Sequence, residues 1–123
     1  MSRTNELREL ITSALKNICE NVYFEVADEE ALYPHIVYYL RSVDLGELSR
    51  EDYILEIHLW EMDAEATNIE DKADNIVEMF RAENMPQRNI LPTFYVYDRK
   101  AVDDEDKKIR HRVISVQINM YER

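Results

Sequence analysis

The 123-residue sequence contains a single glycine, Gly46. Phosphate-binding loops and dinucleotide fingerprints need several residues free to take positive φ or to approach a pyrophosphate closely, so enzymes built on such loops are excluded. A single cysteine, Cys19, allows neither an internal disulfide nor a zinc-ligand spacing. It follows Ile18 at the end of a helical pattern, where it reads as a small buried apolar residue rather than a reactive thiol. No run of about 18 apolar residues is present to span a bilayer. The start Met1-Ser2-Arg3-Thr4-Asn5-Glu6 lacks the apolar core and small-residue cleavage site of a signal peptide, so the protein is expected to stay in the cytoplasm where it is made.

Positive charge is also scarce, with 15 basic against 26 acidic residues and a formal net charge of -11. Sequence-independent binding to nucleic acid depends on Lys and Arg displacing counterions from phosphates. The one basic block, Lys107-Lys108-Ile109-Arg110-His111-Arg112, directly follows Asp103-Asp104-Glu105-Asp106, so the two are expected to neutralise each other across a polar hairpin loop. An acidic surface does suit a protein past which DNA slides without sticking. The acidic run lacks the central glycine and distal bidentate glutamate of a calcium loop and reads as solvated.

Catalytic groups are sparse. The serines sit in no nucleophile-elbow context. His35, His58 and His111 fall on three separate strand patterns with no histidine partner two or four residues away, and read as three ordinary strand histidines. The sequence leaves open that they converge in space. Only His58 with Glu56 or Glu61 offers a pair that an enzyme could use. No enzyme activity, cofactor or metal site is therefore expected, and function is expected to lie in surfaces.

The periodicities describe a sheet with helices on it. Leu7, Leu10, Ile11, Ala14, Leu15 and Ile18 recur at spacings of three and four and make one face of a helix. Val22 to Val26 alternates as a short strand with Val22, Phe24 and Val26 on one side, and Ala27 to Ala31 connects it to Tyr33-Pro34. His35 to Val43 is a second strand with no clean polar face, which should be central or meet a partner. Asp44 to Glu47 with Ser49 to Asp52 makes a polar hairpin connection. In the third strand, Tyr53 to Glu61, Tyr53, Leu55, Ile57 and Leu59 share one face while Ile54, Glu56, His58 and Trp60 share the other.

Thr67-Asn68-Ile69-Glu70 fits a capping box that starts a second helix, with Ile69, Ala73, Ile76, Val77 and Phe80 as its apolar stripe, over before Met85-Pro86. Pro92 opens a fourth strand, Phe94 to Tyr97, which leads into a charged loop from Asp98 to Lys108. The last strand, Ile109 to Tyr121, pairs with it as an antiparallel hairpin and carries Ile114, Val116, Ile118 and Met120 on one face. The expected class is α+β: a single domain over residues 1–123, a mainly antiparallel sheet of about five strands, and two helices packed on one face, in the order α-β-β-β-α-β-β.

This order, with the stretch Tyr33 to Leu40, the run Tyr53 to Glu61 and the ending Arg110 to Tyr121, resembles the tail terminator, or tail completion, proteins of long-tailed phages and prophages. The resemblance covers nearly the whole chain and rests on packing motifs. It implies a structural role in the virion: a ring, usually of six subunits, that caps the tail tube, stops its polymerisation and joins the tail to the head connector while DNA passes through the lumen. The implied partners are further copies of the chain, the tail tube protein and the head-tail connector protein, with no membrane and no specific nucleic-acid binding. The implied location is the head-proximal end of the tail, and the host cytoplasm during assembly. Such a ring needs heterologous contacts that close after a fixed rotation.

No family binding residue carries over, so the contact residues are chosen on chemistry. Tyr38, Tyr39, Tyr53, Trp60, Tyr95 and Tyr97 exceed what one small core must hide and are expected to serve subunit packing. Asp103, Asp104, Glu105 and Asp106 are expected to face a partner or the channel. Two other classes stay open: a monomeric protein-binding adaptor, and a small-ligand-binding α+β domain, which a cavity lined by His58 and tyrosines would favour.

Overall fold

The structure, a computed structural model, describes residues 2–43, 50–62, 66–81 and 90–122. Helix α1 (Arg3–Lys16) is followed by strands β1 (Val22–Phe24), β2 (His35–Val43) and β3 (Arg50–Met62), helix α2 (Thr67–Met79), and strands β4 (Ile90–Val102) and β5 (Ile109–Glu122). The strands form one five-stranded sheet in the order β1-β2-β3-β5-β4. Its pairings are antiparallel except β1 with β2, which run parallel. The α+β class, the element order and the hairpin of β4 with β5 are as the sequence predicts.

Both helices cover the same face. Leu7, Ile11 and Leu15 of α1 and Ile69, Ala73, Ile76 and Phe80 of α2 are fully buried against Ile36, Leu55, Ile57, Leu59, Phe94, Ile114, Val116 and Ile118. Each large apolar side chain so buried stabilises the fold by about 1.5–3 kcal/mol relative to exposure, which outweighs the modest propensity of two short helices. Ser2 caps α1, its hydroxyl accepting from the Asn5 amide at 3.1 Å. Charge fastens α2 to the sheet. Lys72 reaches the Glu61 carboxylate at 3.0 Å, Arg99 of β4 bonds Asp74 at 2.6 Å and Glu70 at 3.1 Å, and Arg112 of β5 bonds the other Glu70 oxygen.

Several boundaries differ from the sequence-based expectation, each for a local reason. Val22 to Val26 is a strand only as far as Phe24, because Glu25 turns to φ 66° and leaves Val26 exposed. Arg50 to Asp52 belong to β3 rather than to the connection, paired with Asn119 to Tyr121 of β5. Thr67 is not a cap. The preceding Ala66 holds that position in a left-handed conformation, φ 61°, with no side-chain hydrogen bond, and Thr67 is already helical. Pro92 lies inside β4, where an edge strand tolerates its missing N–H. Asp98 to Val102 continue β4 instead of starting a loop, since a bulge between Val96 and Asp98 turns Arg99 toward its carboxylate partners on α2. The predicted turn at Asp44 to Glu47 and the stop at Met85-Pro86 lie outside the described residues.

Candidate functional site

The helices leave the second face of the sheet without a covering element among the described residues. Strand alternation places His35, Val37, Tyr39 and Arg41 of β2 there, with Ile54, Glu56, His58 and Trp60 of β3 and His111, Val113, Ser115 and Gln117 of β5. The register sets His35, Trp60 and His111 side by side across three strands. Their rings stack. The His35 and Trp60 centroids are 5.1 Å apart with planes at 23°, and the Trp60 and His111 centroids are 4.3 Å apart at 15°. The indole is thus held between two imidazoles, an offset aromatic contact whose geometry adds to the area it buries.

His58 closes the group. Its ring stacks on Trp60 at 5.6 Å and meets Tyr39 edge-on at 5.3 Å. Its Nδ1 lies 2.8 Å from Nε2 of His111, and its Nε2 bonds the Glu56 carboxylate. Burial, and then the neighbouring His58, push His111 down from 6.5 to about 4, so its ring is neutral at physiological pH. Glu56 accepts from Nε2–H of His58. The 2.8 Å contact between His58 Nδ1 and His111 Nε2 is closed by a single proton between the two rings. His35 is also pushed down by burial, and its Nδ1 has no hydrogen-bond partner among the described residues.

The histidines that read as three separate strand residues therefore form one cluster. That corrects the expectation. Of the two candidate pairs, His58 with Glu56 is realised, whereas Glu61 points to the helix side and holds Lys72. Among the described residues, no group of three or more His, Cys, Asp or Glu converges to hold a metal ion. What sequence inspection missed was the register: Glu56, His58 and Trp60 announce one face by alternation, but nothing in the sequence sets His111 opposite Trp60.

The residues expected at contacts divide. Tyr38 and Tyr53 lie in the chain's own core and not on its surface. The Tyr38 hydroxyl donates to the Arg8 carbonyl at 3.1 Å and lies 2.7 Å from the Thr12 hydroxyl. The Tyr53 hydroxyl donates to Glu51 at 2.9 Å beside Thr4. Each phenol ties α1 to the sheet. Trp60 is half-buried in its stack, and Tyr39, Tyr95 and Tyr97 are exposed, with Tyr97 at the β4 bulge. Asp103, Asp104, Glu105 and Asp106 form the β4–β5 turn, in which Asp104 accepts from the Asp106 amide at 3.0 Å and Asp106 from the Lys108 amide at 2.9 Å.

Two depressions mark the surface. One of about 440 Å³ is lined by Tyr39, Arg41, Ile54, Glu56 and His58, and one of about 390 Å³ by Ala31, Leu32, Tyr33, Pro34, Glu61 and Met62. No helix among the described residues is long and apolar enough to cross a membrane.

The fold has a solved counterpart in a virion. A chain from the virion of a native gene transfer agent particle is similar to it with a TM-score of 0.64 and 12% sequence identity, over 89% of this chain and 84% of that one. A second solved structure, which bears only a sequence identifier as its name, is similar with a TM-score of 0.60 and 7% identity, over 94% of this chain and 95% of that one. No protein-family model matches the chain, and no curated protein is significantly similar in sequence. At these identities the likeness is one of fold.

Proposed function

We propose that the chain is a structural virion protein: a subunit of a ring that caps the tail tube, stops its polymerisation and joins the tail to the head connector. The observation that carries this reading is the near full-length fold likeness to a chain of a gene transfer agent virion. The sheet supports it, because the face that no described element covers bears half-buried Trp60, exposed Tyr39 and a histidine cluster, side chains suited to a contact. In this reading the partners are further copies, six to a ring, the tail tube protein and the head-tail connector protein. The ring sits at the head-proximal end of the tail, it acts without enzymatic chemistry, and its net charge of -11 keeps passing DNA from adhering. Exposed Tyr39, Tyr95 and Tyr97, with Trp60, serve subunit packing, and Asp103 to Asp106 face a partner or the channel.

Electron microscopy of the protein mixed with polymerised tail tubes from the same genome tests the proposal. Rings at one tube end and arrested growth are expected; tubes that stay uncapped and keep growing would overturn it.

A specific observation favours a second reading, a small-ligand-binding domain: the depression of about 440 Å³ has His58 and Tyr39 in its wall. Broad chemical-shift perturbation at Tyr39, Ile54 and His58 by a small-molecule library would support it, and silence at those residues would remove it.

A further inference from the structure

Among the described residues most arginines are engaged. Arg3 bonds Glu51, Arg8 bonds Asn5 and lies over the Phe24 ring, Arg81 pairs with Glu78, and Arg99 and Arg112 are held by carboxylates of α2. Arg110 also has an interaction partner. Arg41 differs. Among the described residues it has neither an ion pair nor a hydrogen bond, in a chain of 26 acidic and 15 basic residues.

Its surroundings suit an anion of one kind. Arg41 is exposed on the face that no described element covers, and shares the depression of about 440 Å³ with Tyr39, Ile54, Glu56 and His58. The Tyr39 hydroxyl also lacks a hydrogen-bond partner among the described residues. Glu56 lines the same depression but makes no ion pair with Arg41, its Oε1 accepting instead from His58. A guanidinium presents a planar fork that fits a carboxylate with two parallel hydrogen bonds, and a phenol can add a third.

We infer that this depression docks a carboxylate side chain of a second copy of the chain. The inference rests on the ring reading above and names the subunit contact within it. Charge complementarity carries the choice of occupant. Two chains that each bear -11 repel unless a cation stands at their contact, and Arg41 is an arginine that no side chain holds among the described residues. A second copy brings carboxylates in excess, whereas the phosphate backbone of a nucleic acid is repelled by the chain as a whole.

The test uses the full chain with tail tubes of the same genome, and reads ring formation by sedimentation and electron microscopy. Arg41→Glu should raise the concentration needed for ring formation at least roughly tenfold, since removing one partner of a close charge pair has effects of that size or larger. Arg41→Lys should keep part of the affinity, and Tyr39→Phe should weaken assembly a few-fold, with circular dichroism unchanged in each. Rings formed by Arg41→Glu at the wild-type concentration would overturn the inference and leave the ring reading standing. Normal rings that no longer seat on tubes would assign the carboxylate to the tube protein and overturn it likewise. Absence of wild-type rings, with or without tubes, would remove both. If Arg41→Glu misfolds, an unchanged assembly of Tyr39→Phe decides against the site.

Discussion

Trp60 and His111 lie face to face, their ring centroids 4.3 Å apart and their planes 15° apart. Since Trp60 is the only tryptophan, its fluorescence reports on that imidazole. Protonated imidazole quenches indole emission, so a pH titration of the native protein should show a transition near pH 4, where His111 titrates. His111→Asn should shrink it, leaving what His35 on the other side of the indole contributes. A transition of unchanged size in that variant would mean that another group quenches Trp60.

The same shift sets a stability trend. His111 is held neutral in the folded chain, with its pKa lowered from 6.5 to about 4 by burial and by His58. Between those values the unfolded chain binds more protons than the folded one, so stability falls as pH drops from about 6.5 toward 4 and is flat in this term above 6.5. Burial of His35 acts in the same direction. Thermal unfolding followed across that window should show a falling Tm, with a shallower slope in His111→Asn.

Tyr38→Phe separates core from contact. The hydroxyl bonds the Arg8 carbonyl and meets Thr12, so its removal should cost about 1 kcal/mol in urea unfolding and leave ring formation unchanged. Tyr97→Ala should do the reverse, because Tyr97 is exposed: stability within about 0.5 kcal/mol of wild type and, under the proposed function, weaker assembly.

Phe94 is fully buried and packs on Phe80 with ring centroids 5.0 Å apart. Phe94→Ala should destabilise by about 3–5 kcal/mol, read from the denaturation midpoint at constant m. A loss below about 1 kcal/mol would show that α2 and β4 close over the cavity.

Much of the fold was legible because it depends on local periodicity. The stripe of Leu7, Ile11 and Leu15, and the alternation of Leu55, Ile57 and Leu59, each identify an element and its inner face without reference to any other. The misreadings arose where distant groups override local preference. Asp98 to Val102 look like loop, yet Arg99 is drawn into strand by Glu70 and Asp74 of α2. Tyr38 and Tyr53 look like surplus aromatics until α1 supplies Thr12, the Arg8 carbonyl and Thr4 as partners for their hydroxyls. The histidine cluster was illegible for the same reason, since it needs both the β2–β3 and the β3–β5 registers.

The strand order has a kinetic consequence. The hairpins β2–β3 and β4–β5 can form from neighbouring segments, but the seam between them joins β3 to β5, with Arg50 opposite Tyr121 and Met62 opposite Ile109. Closing that seam joins segments far apart in sequence, so the entropy of bringing them together falls due before their contacts repay it. On the ribosome, β3 must therefore wait with one edge open until the fifth strand has been synthesised. The imidazole stack, which straddles the seam, can assemble only when the two halves of the sheet meet.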